Sequence, residues 1–185
     1  MIDQWETKSG VDFLKRIGIG PGQRILDFGC GSGNYSIPTS IIAGHKGVVY
    51  AIDNDYQKLE ELKRKLHSYK LNNIRTIQAG GEPEFPIESG SIDFVLLYDI
   101  LHYFENNERK SIYEEVYRVL KNHGTMSVYP KHTKDDFPWD HFSNLTKEDV
   151  IKEIEQAGFF FKSKSCGHLM HYGMLENGCV FNFGK

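Results

Sequence analysis

At 185 residues the chain has room for one domain with a substantial core. Hydrophobic content of 39%, charged content of 25% and a net charge of −3 exclude a disordered or fibrous chain and leave no overall electrostatic footprint for nucleic acid. The polar opening M-I-D-Q-W-E-T-K-S-G has no secretory apolar core, no apolar run is long enough to span a bilayer, and three cysteines make no disulfide framework, so cytoplasm is the expected compartment.

In chain order, Val11 to Ile17 predicts a short helix, with Ser9 in position to cap it and G-I-G-P-G to end it. Arg24 to Phe28 is a strand. A helix follows from about Gly33 to Ala43, with Pro38 near enough to its start to be tolerated. Gly47 to Ile52 reads as a buried strand ending at Asp53. Tyr56 to Tyr69 is a helix with Leu59, Leu62 and Leu66 on one face and Asp55 as its cap. Asn73 to Gln78 is a third strand, and Ile92 to Tyr98, I-D-F-V-L-L-Y, is the strongest buried strand of the chain. Glu108 to Leu120 is an amphipathic helix and Gly124 to Tyr129 a fifth strand. Thr146 to Ala157 is a helix opened by a T-x-x-D cap. Phe159 to Cys166 and Gly178 to Phe183 close the chain as two strands joined by a loop rich in Gly, His and Met. Alternating strands and helices imply a mostly parallel sheet with helices on both faces. The last pair has no crossover helix, which suits antiparallel strands. The whole chain, 1–185, is expected to be one domain, with a short helical segment over 1–23 and a candidate substrate loop over 130–145.

The chemistry concentrates first at Ile25 to Pro38, I-L-D-F-G-C-G-S-G-N-Y-S-I-P. A strand ends in Asp27, and Gly29, Gly31 and Gly33 follow at alternate positions. Glycines let a backbone turn tightly and approach a ligand closely, and the following helix points free N–H groups at the same place. A dinucleotide fingerprint, G-x-G-x-x-G, would need its third glycine at Asn34 or Ser36, and neither is glycine. Asp53 stands about twenty residues beyond the glycine loop at a strand end, where a carboxylate accepts from ribose hydroxyls.

The D-x-G-x-G-x-G order resembles motif I of the class I S-adenosylmethionine (SAM) methyltransferases, and more closely the type-11 family that includes ubiquinone and menaquinone biosynthetic enzymes. The resemblance covers about Gly22 to Gly124. It implies a Rossmann-like α/β fold: a seven-stranded mostly parallel sheet, helices on both faces and an antiparallel last strand. It implies SAM as cofactor, S-adenosylhomocysteine as product, and a cofactor site drawn from Asp27, Gly29, Cys30, Gly31, Gly33, Asp53 and Asn54. Phe85-Pro86 and Ser91-Ile92-Asp93 match the family pattern around strands three and four. The family's adenine-binding aspartate falls at Gly81 here, with Glu82 the nearest acid. Tyr98, Asp99 and His102 fall where the family places residues over the cofactor, and the N-P-P-Y signature of many amide and nucleobase methylating enzymes is missing.

Methyl transfer from a sulfonium is an in-line displacement, so positioning supplies much of the rate, and a base is needed only for a protonated acceptor. Asp99, His102 and His132 are the candidates for that catalytic role. Tyr129 to Phe142, Y-P-K-H-T-K-D-D-F-P-W-D-H-F, follows a strand end and crowds aromatic and ionisable groups together. Tyr103, Trp139 and His141 are its candidate acceptor-binding neighbours. Of the eight histidines, His132 with Asp135 and Asp136, or His168 with His171, could ligate an ion, but no dense metal motif occurs and no metal is expected. The expected function is SAM-dependent methylation of a small-molecule acceptor at O, N or C. A SAM-binding regulatory or partner subunit without catalysis is the alternative. A nicotinamide-dependent oxidoreductase is the second, against the glycine spacing and the final strand pair.

Overall fold

The computed structural model describes residues 4–80 and 85–185. Its strands are β1 (Arg24–Phe28), β2 (Val48–Asp53), β3 (Ile74–Gln78), β4 (Ile92–Tyr98), β5 (Leu120–Tyr129), β6 (Phe160–His171) and β7 (Met174–Gly184). They form one seven-stranded sheet in the order β3-β2-β1-β4-β5-β7-β6. The β1–β2, β2–β3 and β4–β5 pairs are parallel, and β7 runs antiparallel to β5. This is the expected fold class. The helices are α1 (Gly10–Arg16), α2 (Ser36–Ala43), α3 (Tyr56–Tyr69), α4 (Asn106–Val119) and α5 (Lys147–Gln156).

Contacts divide the chain into two compact units, Met1–Gly81 with Cys166–Gly178, and Glu82–Ser165 with Cys179–Lys185. In the first, β1 and β2 are buried along nearly their whole length because apolar residues occupy both faces, as parallel strands require. Cys30, Ile37, Ala51, Leu59 and Leu62 pack as one cluster, joined at its margin by Leu66 and Ile74. A single wide turn, Trp5–Ser9, leads into α1. Trp5 is fully buried and donates its indole N–H to the Asn34 carbonyl at 2.8 Å. Glu6 is also buried, where Lys65 and Tyr69 both reach its carboxylate at 2.7 Å.

In the second unit β4 is sealed on both faces, and α4 lays Ile112, Val116 and Val119 inward as its spacing predicts. Glu153 of α5 grips Arg109 of α4 through two parallel N–H···O bonds at 2.8 and 2.7 Å, and accepts from Tyr113 at 2.9 Å. Arg109 is 3% exposed, so the pair is a buried anchor between the two helices.

Several boundaries differ from expectation for local reasons. Ser9 makes no cap, because it lies in helical backbone inside the entering turn. Helix α2 starts at Ser36, three residues late, because Gly33 sits at φ +87°. Helix α4 starts two residues early, where Glu105 and Glu108 cap each other's backbone N–H groups. The loop expected between the last strands is mostly strand. β6 and β7 continue until a two-residue turn, Tyr172-Gly173, with φ of +46° and +77°, the left-handed backbone that tight hairpins favour. Cys166 and Cys179 are disulfide-bonded, against the expectation of unpaired thiols, and Cys30 is the free cysteine among the described residues. None of the described helices is long and apolar enough to cross a membrane.

Candidate active site

The first unit builds a ligand corner at the carboxyl ends of β1 and β2. Gly29, Gly31 and Gly33 take φ of +77°, +51° and +87°, which L side chains resist, so the alternate glycines are required by the turn itself. The Gly29 and Cys30 amides both donate to the Ile52 carbonyl, at 2.8 and 3.0 Å, stitching the loop to β2. A side chain at Gly33 would run into Leu62, so this glycine lets α3 close on the loop. A side chain at Gly31 would meet nothing within 4 Å, so the backbone there faces open space.

Asp53 ends β2 and accepts from the Gly31 N–H at 2.7 Å and from the Asp55 N–H at 2.9 Å. Its carboxylate is thereby held at the lip of the glycine loop, with acceptor capacity left over. Asn54 beside it is exposed. Asp27 is different: it is 2% exposed and accepts from the Ser36 hydroxyl at 2.6 Å. Burial pushes its pKa up to about 7; the Ser36 bond acts against that, and the Asp53 charge adds to it. Cys30 turns its thiol into the core cluster, where burial and the Asp27 and Asp53 charges push its pKa far up and keep it protonated. Only its backbone is offered to a ligand. Gly81 and Glu82 lie outside the described residues.

The second unit gathers a polar cluster beyond the parallel strand ends. Tyr98 and Tyr129 are in register on β4 and β5, so the residues after each strand emerge side by side. Asp99 follows β4 with φ +55°, and its N–H donates to the Tyr129 carbonyl. His102 sits in the single turn Leu101–Tyr103, and His132 follows β5 with φ +64°. Both rings are buried, at 1% and 2% exposure. Asp99 Oδ1 lies 3.7 Å from Nδ1 of His102 and 3.7 Å from Nε2 of His132. Tyr103 and Trp139 wall the pair. Trp139 stands 5.8 Å from the His102 ring and 5.1 Å from the His132 ring, and Tyr103 stands 3.9 Å from His102. Both wall residues are nearly half exposed, so partly exposed aromatic surface lies over the buried cluster.

The three candidate catalytic residues and two of the three candidate acceptor residues therefore meet. His141 is exposed and faces Asp140 at 3.4 Å. Tyr98 is buried with its hydroxyl 2.8 Å from Ser127, so its polar end is engaged within the sheet.

Residues 25–124 match the family described as "Methyltransferase domain". The chain belongs to that family. The methyltransferase domain is 32% identical over 113 residues to the demethylmenaquinone methyltransferase of Oceanobacillus iheyensis, covering 61% of this chain and 46% of that protein. It is 34% identical over 108 residues to the ubiquinone/menaquinone biosynthesis C-methyltransferase UbiE of Blochmanniella floridana, covering 58% and 41%. The chain thus spans about half the length of these curated relatives. Among solved structures it resembles a SAM-dependent methyltransferase from Aquifex aeolicus, with a TM-score of 0.76, 23% identity and coverage of 98% and 90%. It also resembles magnesium protoporphyrin IX methyltransferase from Synechocystis with bound SAM, with a TM-score of 0.70, 20% identity and coverage of 100% and 80%. SAM is the ligand of that Synechocystis structure. The corner fits it: open space over Gly31, three backbone-demanding glycines and a carboxylate held at the lip.

Lys131 also belongs to the acceptor region and was missed in the sequence. It is 5% exposed and its ammonium sits 3.0 Å from Asp136, pinning the start of the 130–145 loop. Its only sequence signal was a basic residue inside an aromatic run.

Proposed function

We propose that this methyltransferase domain moves the methyl group of SAM to a small, flat acceptor that packs against Trp139 and Tyr103. The carrying observation is the Asp99, His102 and His132 cluster, buried beneath half-exposed aromatic rings. In this reading Asp53 holds the ribose, the loop from Gly29 to Gly33 brings backbone to the amino-acid tail, Asn54 bounds the adenine side, and Asp27 supports the loop from beneath. The acceptor's oxygen, nitrogen or carbon attacks the methyl carbon in line, the C–S pair returns to sulfur, and the neutral thioether S-adenosylhomocysteine leaves. A protonated acceptor gives its proton up within the Asp99, His102 and His132 cluster. The rings of Trp139 and Tyr103 orient the acceptor plane, and such orientation is worth several powers of ten in rate. Relatives named for quinone methylation support an aromatic acceptor.

Cytoplasm is the proposed compartment. The disulfide-bonded Cys166 and Cys179 are the feature to follow under reducing conditions. The functional test is calorimetric titration with SAM and with S-adenosylhomocysteine, followed by methyl-labelled SAM against a panel of phenols, quinols and aromatic amines. Micromolar binding of both ligands and label transfer to one acceptor class is the expected result. Binding without transfer to any acceptor would favour a cofactor-binding partner subunit. Binding of neither would overturn the reading.

A further inference from the structure

Asp99, His102 and His132 offer one carboxylate oxygen and two imidazole nitrogens, all within 4.8 Å of one another. Asp99 Oδ1 is the common neighbour, 3.7 Å from a nitrogen of each ring. That is beyond hydrogen-bond length. Donors on one ion at about 2.1 Å with near-tetrahedral angles stand about 3.4 Å apart, so each Asp99 separation closes on an ion with a shift of about 0.3 Å, and the two ring nitrogens, within 4.8 Å of each other, must also draw together.

The His132 tautomer points the same way. Its Nδ1 lies 3.2 Å from the Phe137 carbonyl oxygen, which can only accept, so Nδ1 carries the hydrogen. That leaves Nε2 as the ring's donor atom, 3.7 Å from Asp99 Oδ1. An ion between the two atoms would be shared by both. An imidazole N–H fixed on a backbone carbonyl is also the usual support behind a metal-bound histidine. The backbone holds this arrangement at a cost. Asp99 and His132 both sit in left-handed conformation, φ +55° and +64°, kept there by Asp99 N–H on the Tyr129 carbonyl and Trp139 N–H on the His132 carbonyl.

We propose that Asp99, His102 and His132 form a two-histidine, one-carboxylate site for a divalent first-row transition ion. Two imidazoles and one oxygen suit zinc, iron, cobalt or nickel better than magnesium or calcium. Three protein donors leave positions open, and the aromatic wall suits an acceptor whose hydroxyl oxygen fills one of them. The ion's task, though not the site, rests on the methyl-transfer reading above. The bound hydroxyl ionises more easily and its proton passes to water. Its oxygen then forms the new bond to the methyl carbon as the C–S bond breaks. In that case the histidines are ligands and not the bases themselves.

The test uses the tag-free chain, stripped of metal and titrated with cobalt(II) chloride, with neither SAM nor acceptor present. The expected result is one equivalent bound per chain, with visible absorption bands of a low-coordinate nitrogen and oxygen site, displaced by one equivalent of zinc. His132→Ala and Asp99→Asn should each weaken binding by more than about 100-fold, beyond the 10–100-fold typical of losing only a supporting partner. His67→Ala, on the exposed face of α3, should change nothing. If His132→Ala does not fold, His102→Gln gives the same reading. Absence of stoichiometric uptake of either ion, or uptake that survives these substitutions, overturns the site. Failed metal binding with SAM binding and turnover intact sinks the ion alone. Failed SAM binding with metal binding intact sinks the cofactor reading alone.

Discussion

Replacing Asp27 by asparagine should flatten a pH dependence that the fold imposes on itself. The carboxyl is 2% exposed, and burial lifts its pKa from 3.8 to about 7. Between those values the native state keeps a proton that the unfolded chain has lost. Native protein therefore binds more protons, and stability falls as pH rises through this window. The contribution is complete below about pH 4 and gone above about pH 7, where both states are ionised. About three pK units at 1.36 kcal/mol each give about 4 kcal/mol as the upper size of the change. Asparagine keeps an oxygen for the Ser36 hydroxyl, which now donates to Asp27 at 2.6 Å, but carries no charge. Urea unfolding of both proteins at about pH 4.5, 6 and 7.5 isolates the effect, because other titrations cancel in the difference. The Asp27→Asn variant should gain on the native chain steadily across the series, by a few kcal/mol in total. Parallel stability profiles would refute the reasoning, and would mean that Asp27 is ionised in the folded protein throughout.

Gly33→Ala should cost about 2–4 kcal/mol in chemical unfolding, since the new methyl meets Leu62 and the φ of +87° is strained for alanine. Asp53→Ala should weaken SAM binding about 100-fold by calorimetry, the loss of two charge-assisted hydrogen bonds; near-native affinity would sink the ribose role. Glu153→Ala should cost about 3–5 kcal/mol by leaving Arg109 buried and unmatched, read as a lowered urea midpoint. Thr146→Ala should cost about 1 kcal/mol, because the Thr146 hydroxyl accepts from the Asp149 N–H at the start of α5.

Period and punctuation made the sheet legible. β1, β4 and α3 begin and end where the sequence places them, because apolar runs and Asp55 leave no competing solution. The terminal hairpin was harder. Gly167, His168 and Met170 look like loop residues, yet pairing with a neighbouring strand overrides that weak preference. Each member of the Asp99, His102 and His132 cluster was nameable by chemistry. Their meeting was not, because thirty residues separate His102 from His132 and only the Tyr98–Tyr129 register brings the strand ends level. Phe137, whose carbonyl sets the His132 tautomer, acts through its backbone, and a backbone oxygen leaves no trace in composition.

Strand β6 closes the sheet order with no strand beyond it among the described residues, and it is twelve residues long. A long rim of this kind is a template on which another chain could add itself. Phe160 and Phe161 are exposed near its start, which would make that addition sticky. Lys162 and Lys164 interrupt the run directly afterwards, and each carries its charge over a neighbouring ring, Phe160 and Phe181. Two ammonium groups so placed act as gatekeepers, making strand-to-strand stacking of separate molecules repulsive. Two lysines on one rim are thus placed to oppose stacking, and neutralising both should raise self-association relative to the native chain, read by light scattering.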